Sequence, residues 1–145
     1  MNSIERSILA LQACIEELHG VKELPILNLG QLIDLLKKVR QDAWVYIDGP
    51  VRLTPGEVRS YRGYYCDLAI GVNLDGLAPS VCNFIQTLEQ AIGTSFEGYK
   101  GGIYLMDRQT RLWFSNYGES YRYGPTGIRT EPDSAHVIVT YAEVE

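Results

Sequence analysis

The chain has 145 residues, 46% hydrophobic and 21% charged, which fits one domain (1–145) with a real core and excludes a low-complexity or disordered chain. Its formal net charge of −5 argues against tracking the phosphates of long nucleic acid, but leaves room for a small anion in a local basic pocket. No apolar run approaches the roughly 20 residues that cross a bilayer, and the odd set Cys14, Cys66 and Cys82, without a Cys-x-x-Cys pair or a signal peptide, reads as a reduced, cytosolic chain.

In chain order, Asn2 or Ser3 caps a first helix with Ile4, Ile8, Leu11, Ile15 and Leu18 on one stripe, stopped at His19-Gly20. That stripe buries itself against the body or forms a seam between copies. After an extended 24–27, Asn28 caps a second helix to about Arg40, with Leu29, Leu32, Ile33, Leu36 and Val39 as its buried side. Residues 1–41 thus read as a helical pair and 42–145 as a sheet with one further helix.

Trp44-Val45-Tyr46-Ile47 is a strand closed by Asp48-Gly49-Pro50; extended pieces follow at 51–53 and 58–61, then a strand over 65–72. Pro79, at a first helical position, opens a third helix with Val81, Phe84, Ile85, Leu88 and Ile92 as its apolar face and Gly93 as its stop. Strands follow at 103–106, 112–115 and 136–141. The Gly- and Pro-rich stretch 116–134 reads as a long loop, either a lid or plain connecting chain. Short connections between successive strands favour an α+β fold, an antiparallel or mixed sheet packed by about three helices, two of them N-terminal.

Gly, Tyr and Lys/Arg recur together at 59–65, 98–104 and 117–124. Glycine lets backbone N–H groups approach an anion, Lys and Arg neutralise phosphate, and a Tyr or Trp ring stacks on a base. The candidate ligand-binding set is therefore Arg59, Tyr61, Arg62, Gly63, Tyr65, Tyr99, Lys100, Gly101, Gly102, Trp113, Tyr117 and Arg122. Arg59, Arg62, Lys100 and Arg122 would meet phosphate, and the rings would stack. The same residue types also punctuate strands and turns, and alternate strand residues face opposite sides, so not all these rings share one pocket.

Neither a Walker-type phosphate loop nor a dinucleotide fingerprint is present, and Gly98-Tyr99-Lys100-Gly101, a GxxG, precedes a strand rather than joining two helices as in a KH domain. His19, His136 and the scattered cysteines give no zinc spacing and no nucleophile with its base, so no metal, cofactor or catalytic residue is expected. Two alternatives remain. Tyr, Trp and Arg are also hot-spot residues of an inhibitor that captures an enzyme, and Asp67, Glu97 or Asp107 could serve a metal-assisted nucleotide hydrolase.

The runs Pro55-Gly56-Glu57-Val58-Arg59-Ser60-Tyr61-Arg62-Gly63-Tyr64-Tyr65 and Phe96-Glu97-Gly98-Tyr99-Lys100-Gly101-Gly102-Ile103-Tyr104, with Thr110-Arg111-Leu112-Trp113 and Tyr117-Gly118, resemble a small family of early-region proteins from T-even-like bacteriophages. The resemblance covers Trp44 to Gly118. It implies a phage protein working in the host cytosol. By analogy with small phage counter-defence factors, it implies a sponge that sequesters a cyclic dinucleotide immune signal without catalysis, as a homo-oligomer with ligand sites at or near subunit interfaces.

Overall fold

The structure, a computed structural model, describes residues 26–49, 53–61, 66–74, 76–98, 101–115, 123–131 and 135–143. The expected first helix lies outside them, so two of the three expected helices are described. α1 spans Leu29–Leu36 and α2 spans Val81–Ala91; the strands are β1 (Trp44–Ile47), β2 (Leu53–Ser60), β3 (Leu68–Leu74), β4 (Ser95–Glu97), β5 (Ile103–Leu105), β6 (Leu112–Ser115), β7 (Tyr123–Thr130) and β8 (His136–Glu143).

α1 begins at a capping box: the Asn28 side chain accepts from the Gln31 N–H at 2.8 Å, and the Gln31 side chain accepts from the Asn28 N–H at 2.9 Å. Leu29, Leu32, Ile33 and Leu36 point inward. The helix stops at Leu36 rather than near Arg40, because the Gln41 amide takes up the carbonyls of Leu36 at 3.1 Å and Val39 at 2.7 Å. Ser80, rather than a residue before Pro79, caps α2 by accepting from the Asn83 N–H at 3.1 Å, so Pro79 lies outside the helix and not at its first position. Gly93 follows α2 at φ +78°, as a C-terminal glycine stop requires.

Six strands close into a barrel in the order β1-β2-β3-β6-β7-β8, and β4 and β5 form a separate two-stranded sheet. The barrel is mixed: β1 runs parallel to β8 and β3 parallel to β6, with the other pairs antiparallel. The parallel ladders set Val45 opposite Val137, Ile47 opposite Val139, Leu68 opposite Leu112 and Ile70 opposite Phe114. All eight belong to the main core, where they meet the apolar faces of α1 and α2. Alternation along each strand therefore gives one face to this core and leaves the intervening residues for the other.

Two expectations about the strands are corrected as well. The described residues of the pieces at 51–53 and 58–61 are joined by one strand, β2, which runs from Leu53 to Ser60 and whose register shifts between Pro55 and Val58. The stretch 116–134 is not all loop, since its centre is β7, an eight-residue strand with a shift between Pro125 and Gly127. In both, proline cannot donate to the ladder and a bulge absorbs it, so the two-residue alternation that reveals a strand is interrupted at a Pro and Gly that look like a turn.

Candidate functional site

On the non-core face of the barrel, Arg59 of β2 sits opposite Ala69 of β3, which sits opposite Trp113 of β6. Residues in register point the same way, so this row forms one patch. Tyr61, just past β2, lays its ring on Trp113 with centroids 5.2 Å apart and planes 20° apart, and with Ala69 the two rings make a second small core against Ile26. Trp113 is 1% exposed and Tyr61 8%, so neither ring offers the open face that the sequence suggested; their faces are taken up by each other.

Asp67 fixes this pair. The Trp113 indole Nε1–H donates to Asp67 Oδ2 at 2.8 Å, and the Tyr61 N–H donates to the Asp67 carbonyl at 2.8 Å. Arg111, two residues before Trp113, places its guanidinium carbon 5.9 Å from the Trp113 ring centroid and is exposed, a cation over an aromatic face at the rim. Burial pushes the Asp67 carboxyl above its ordinary value, although the Trp113 hydrogen bond and the Arg111 charge pull it down. Burial and then the neighbouring Asp67 carboxylate push the Cys66 thiol up, so it stays protonated at neutral pH and is not an activated nucleophile.

The Asp67 shift has a definite sign. A carboxyl that titrates higher in the folded than in the unfolded chain binds more protons when folded, so stability falls as pH rises from the unfolded to the folded value and is flat above. Asp67→Asn keeps an acceptor for the indole and removes this titration. Subtracting its unfolding free energy from that of the native chain, across pH 3 to 7 by urea titration, is expected to give a difference that declines as pH rises; a difference that grows would contradict the burial of Asp67.

The second Gly/Tyr/basic run meets the end of β2 through one contact on the core side rather than on this patch, since Ser60 is in register with Leu68 and Leu112, and Phe96 and Tyr104 pack against the main core. Ser60 Oγ, at the end of β2, donates to the carbonyl of Glu97 at 3.1 Å, where β4 ends and the turn to β5 begins. That turn is closed by the Gly98 N–H on the Gly102 carbonyl at 2.6 Å and the Gly101 N–H on the Gly98 carbonyl at 2.9 Å. Gly101 stands at φ +90°, where an L side chain is strained, and both Gly101 and Gly102 are exposed. The described end of the third run joins elsewhere: Tyr123 pairs with Phe114, towards the far end of β6 from Leu112. Arg59 is exposed and pairs at 3.1 Å with an equally exposed Glu57, a contact that costs little to exchange. Arg62, Gly63, Tyr65, Tyr99, Lys100, Tyr117 and Arg122 lie outside the described residues.

Two features were missed in the sequence. Arg111, immediately before β6, was legible as the residue two before Trp113 in extended chain, hence on its face. Trp44 was read only as part of a strand; it is 49% exposed and lines an open cleft of about 580 Å³ with Arg40, Gln41, Asp42, Ser80, Cys82 and Ala135. The backbone N–H groups that begin α2 are taken, Val81 by the Ala43 carbonyl at 2.8 Å and Cys82 by the Gln41 carbonyl at 3.0 Å, so this cleft has no anion cradle at the helix start.

Among the described residues no group of three or more His, Cys, Asp or Glu could hold a metal ion, and no helix is long and apolar enough to cross a membrane. Comparison with family models, with curated proteins and with solved structures finds no match to this chain.

Proposed function

We propose that this chain binds and sequesters a small anionic nucleotide, in the first instance a cyclic dinucleotide signal, without transforming it, as a phage counter-defence protein of the host cytosol. The supporting observation is the Ser60–Glu97 contact, which brings the end of β2 and the glycine turn before β5 together one residue along from Arg59, with Arg111 on the other face of the same barrel end. The described ends of two of the three Gly/Tyr/basic runs thus meet in an otherwise acidic chain of net charge −5. In this reading Arg59, Arg62, Lys100 and Arg111 grip phosphate, Gly102 lets it approach the backbone while the Gly101 N–H holds the turn through the Gly98 carbonyl, and Tyr65 and Tyr99 stack. Tyr61 and Trp113 serve as the rigid support beneath Arg111 rather than as stacking faces.

The test is a thermal-shift screen against cyclic di- and trinucleotides and mononucleotides, followed by titration of the best ligand. Arg111→Ala and Lys100→Ala are each expected to weaken binding by at least about tenfold, the lower end of what a charge-assisted hydrogen bond contributes. Unchanged affinity in both folded variants would remove the site.

A second reading, a protein-interaction inhibitor of a host enzyme, is favoured by the half-exposed Trp44 beside its open cleft, since exposed Trp and Arg are the anchors of protein interfaces. A partner lost on Trp44→Ala while nucleotides give no shift would select it.

A further inference from the structure

We propose that the edge of β5 turned away from β4 pairs with β5 of a second copy, antiparallel about a two-fold axis at Tyr104. The proposal stands whether or not a nucleotide binds, because it rests on the hydrogen-bond pattern of the β4–β5 sheet. Its register sets Ser95 opposite Leu105, Phe96 opposite Tyr104 and Glu97 opposite Ile103. The flanking pairs exchange hydrogen bonds: the Gly98 N–H donates to the Gly102 carbonyl at 2.6 Å and the Met106 N–H to the Thr94 carbonyl at 3.2 Å.

In an antiparallel ladder bonded and non-bonded pairs alternate, so Phe96–Tyr104 is the bonded pair between them. Glu97 and Ile103, like Ser95 and Leu105, must then turn their N–H and C=O groups away from each other. On β4 this is seen, since the Glu97 carbonyl accepts from Ser60 Oγ at 3.1 Å. On β5 the groups of Ile103 and Leu105 point to the outer edge, and among the described residues β5 pairs with β4 alone.

The side chains agree with the backbone. Ile103 is 75% exposed and Leu105 67%, both on one face, while Tyr104 turns to the main core. Strand edges left open to solvent usually carry Lys, Pro or an inward charge as a guard, and β5, Ile-Tyr-Leu, has none. A second copy is the occupant that fits, because the strand is complementary to itself. With Tyr104 facing its mate as a non-bonded pair, Ile103 falls opposite the partner's Leu105 and Leu105 opposite the partner's Ile103. Each of these pairs then exchanges both hydrogen bonds, so every outward group is met, and Ile packs on Leu across the seam.

Charge also permits it: two chains of net charge −5 meet along a strand without a charged side chain. Stable interfaces bury roughly 1,600 Å², more than a three-residue edge supplies, so the association is weak and is read at high concentration.

The experiment is sedimentation velocity of the whole chain up to about 1 mM, together with a register-specific cross-link. With Cys14, Cys66 and Cys82 replaced by Ser, Ile103→Cys and Leu105→Cys are oxidised separately and as an equimolar mixture. The bonded-pair spacing of about 5.5 Å between Cα atoms suits a disulfide, so the mixture should give covalent dimer and each variant alone far less. Ile103→Lys/Leu105→Lys, at exposed positions that leave the fold intact by circular dichroism, should weaken self-association at least about tenfold. A chain that stays monomeric and uncross-linked, equal cross-linking by the single variants, or a dimer indifferent to the lysines would overturn the proposal. Capture of an extended foreign peptide by monomeric chain would do so as well.

Discussion

Trp113→Ala is expected to lower the free energy of unfolding by about 3–5 kcal/mol, the cost of deleting a large buried aromatic side chain. Trp113 is 1% exposed, stacks on Tyr61 at 5.2 Å and donates its indole N–H to Asp67. Its removal opens a cavity and leaves Asp67, a partly buried carboxylate, without its aromatic donor. Trp113→Phe separates the two effects. It keeps a ring against Tyr61 but loses the hydrogen bond and some of the indole's volume, and should cost at least about 1.5–3 kcal/mol, the range for a bond to a charged group. Urea denaturation followed by far-ultraviolet circular dichroism measures both. A loss below about 1 kcal/mol for the alanine variant, the size of an ordinary surface effect, would mean that the ring is not the buried support described.

Gly124→Val should destabilise the chain by about 1–3 kcal/mol, as overpacking does in a filled interior. Any Cβ at Gly124 would lie 2.6 Å from Ile26 Cγ2 and 3.0 Å from the Leu112 carbonyl oxygen. The branched Ile26 methyl has little room to retreat, because Ile26 packs against the Tyr61–Ala69–Trp113 cluster, and the Leu112 oxygen is backbone. Gly127→Ala, two register steps along the same strand, is the control. Its Cβ would stand 3.4 Å from Thr140 Oγ1, an ordinary contact, and it should be tolerated. Melting temperatures of the two variants side by side check the contrast.

The glycines of this chain therefore serve unlike ends, and that difference explains what the sequence could reveal. Gly93 and Gly101 have positive φ and open surroundings, the turn-forming use that the residue type advertises. Gly124 sits inside a strand because neighbours press on it, which depends on a contact with Ile26 nearly a hundred positions away and has no local signature. The helices were legible because Asn28 with Gln31, and the period of Val81, Phe84, Ile85 and Leu88, are local facts. The closed barrel was not: the parallel pairs β1 with β8 and β3 with β6 join distant strands, and the prolines at the bulges of β2 and β7 interrupt the alternation that marks a strand.

The candidate site shows the same division. The residue types around 59–65 and 98–104 marked a region, and the Ser60–Glu97 contact brings its described margins together. Which rings face solvent was hidden, because Tyr61 and Trp113 are each compatible with stacking on a ligand until their mutual stack is seen. Arg111 gains its place from the strand alternation that also sets Trp113.

The measurement that tests the central claim most directly is calorimetric titration of the native chain and of Arg111→Ala with cyclic dinucleotides, with the bound ligand afterwards released by heat and chromatographed. Saturable binding by the native chain, weakening of at least about tenfold in Arg111→Ala, and ligand recovered unaltered are the predicted result. No heat with any cyclic dinucleotide, equal affinity in the variant, or a ligand recovered as hydrolysis products would contradict it.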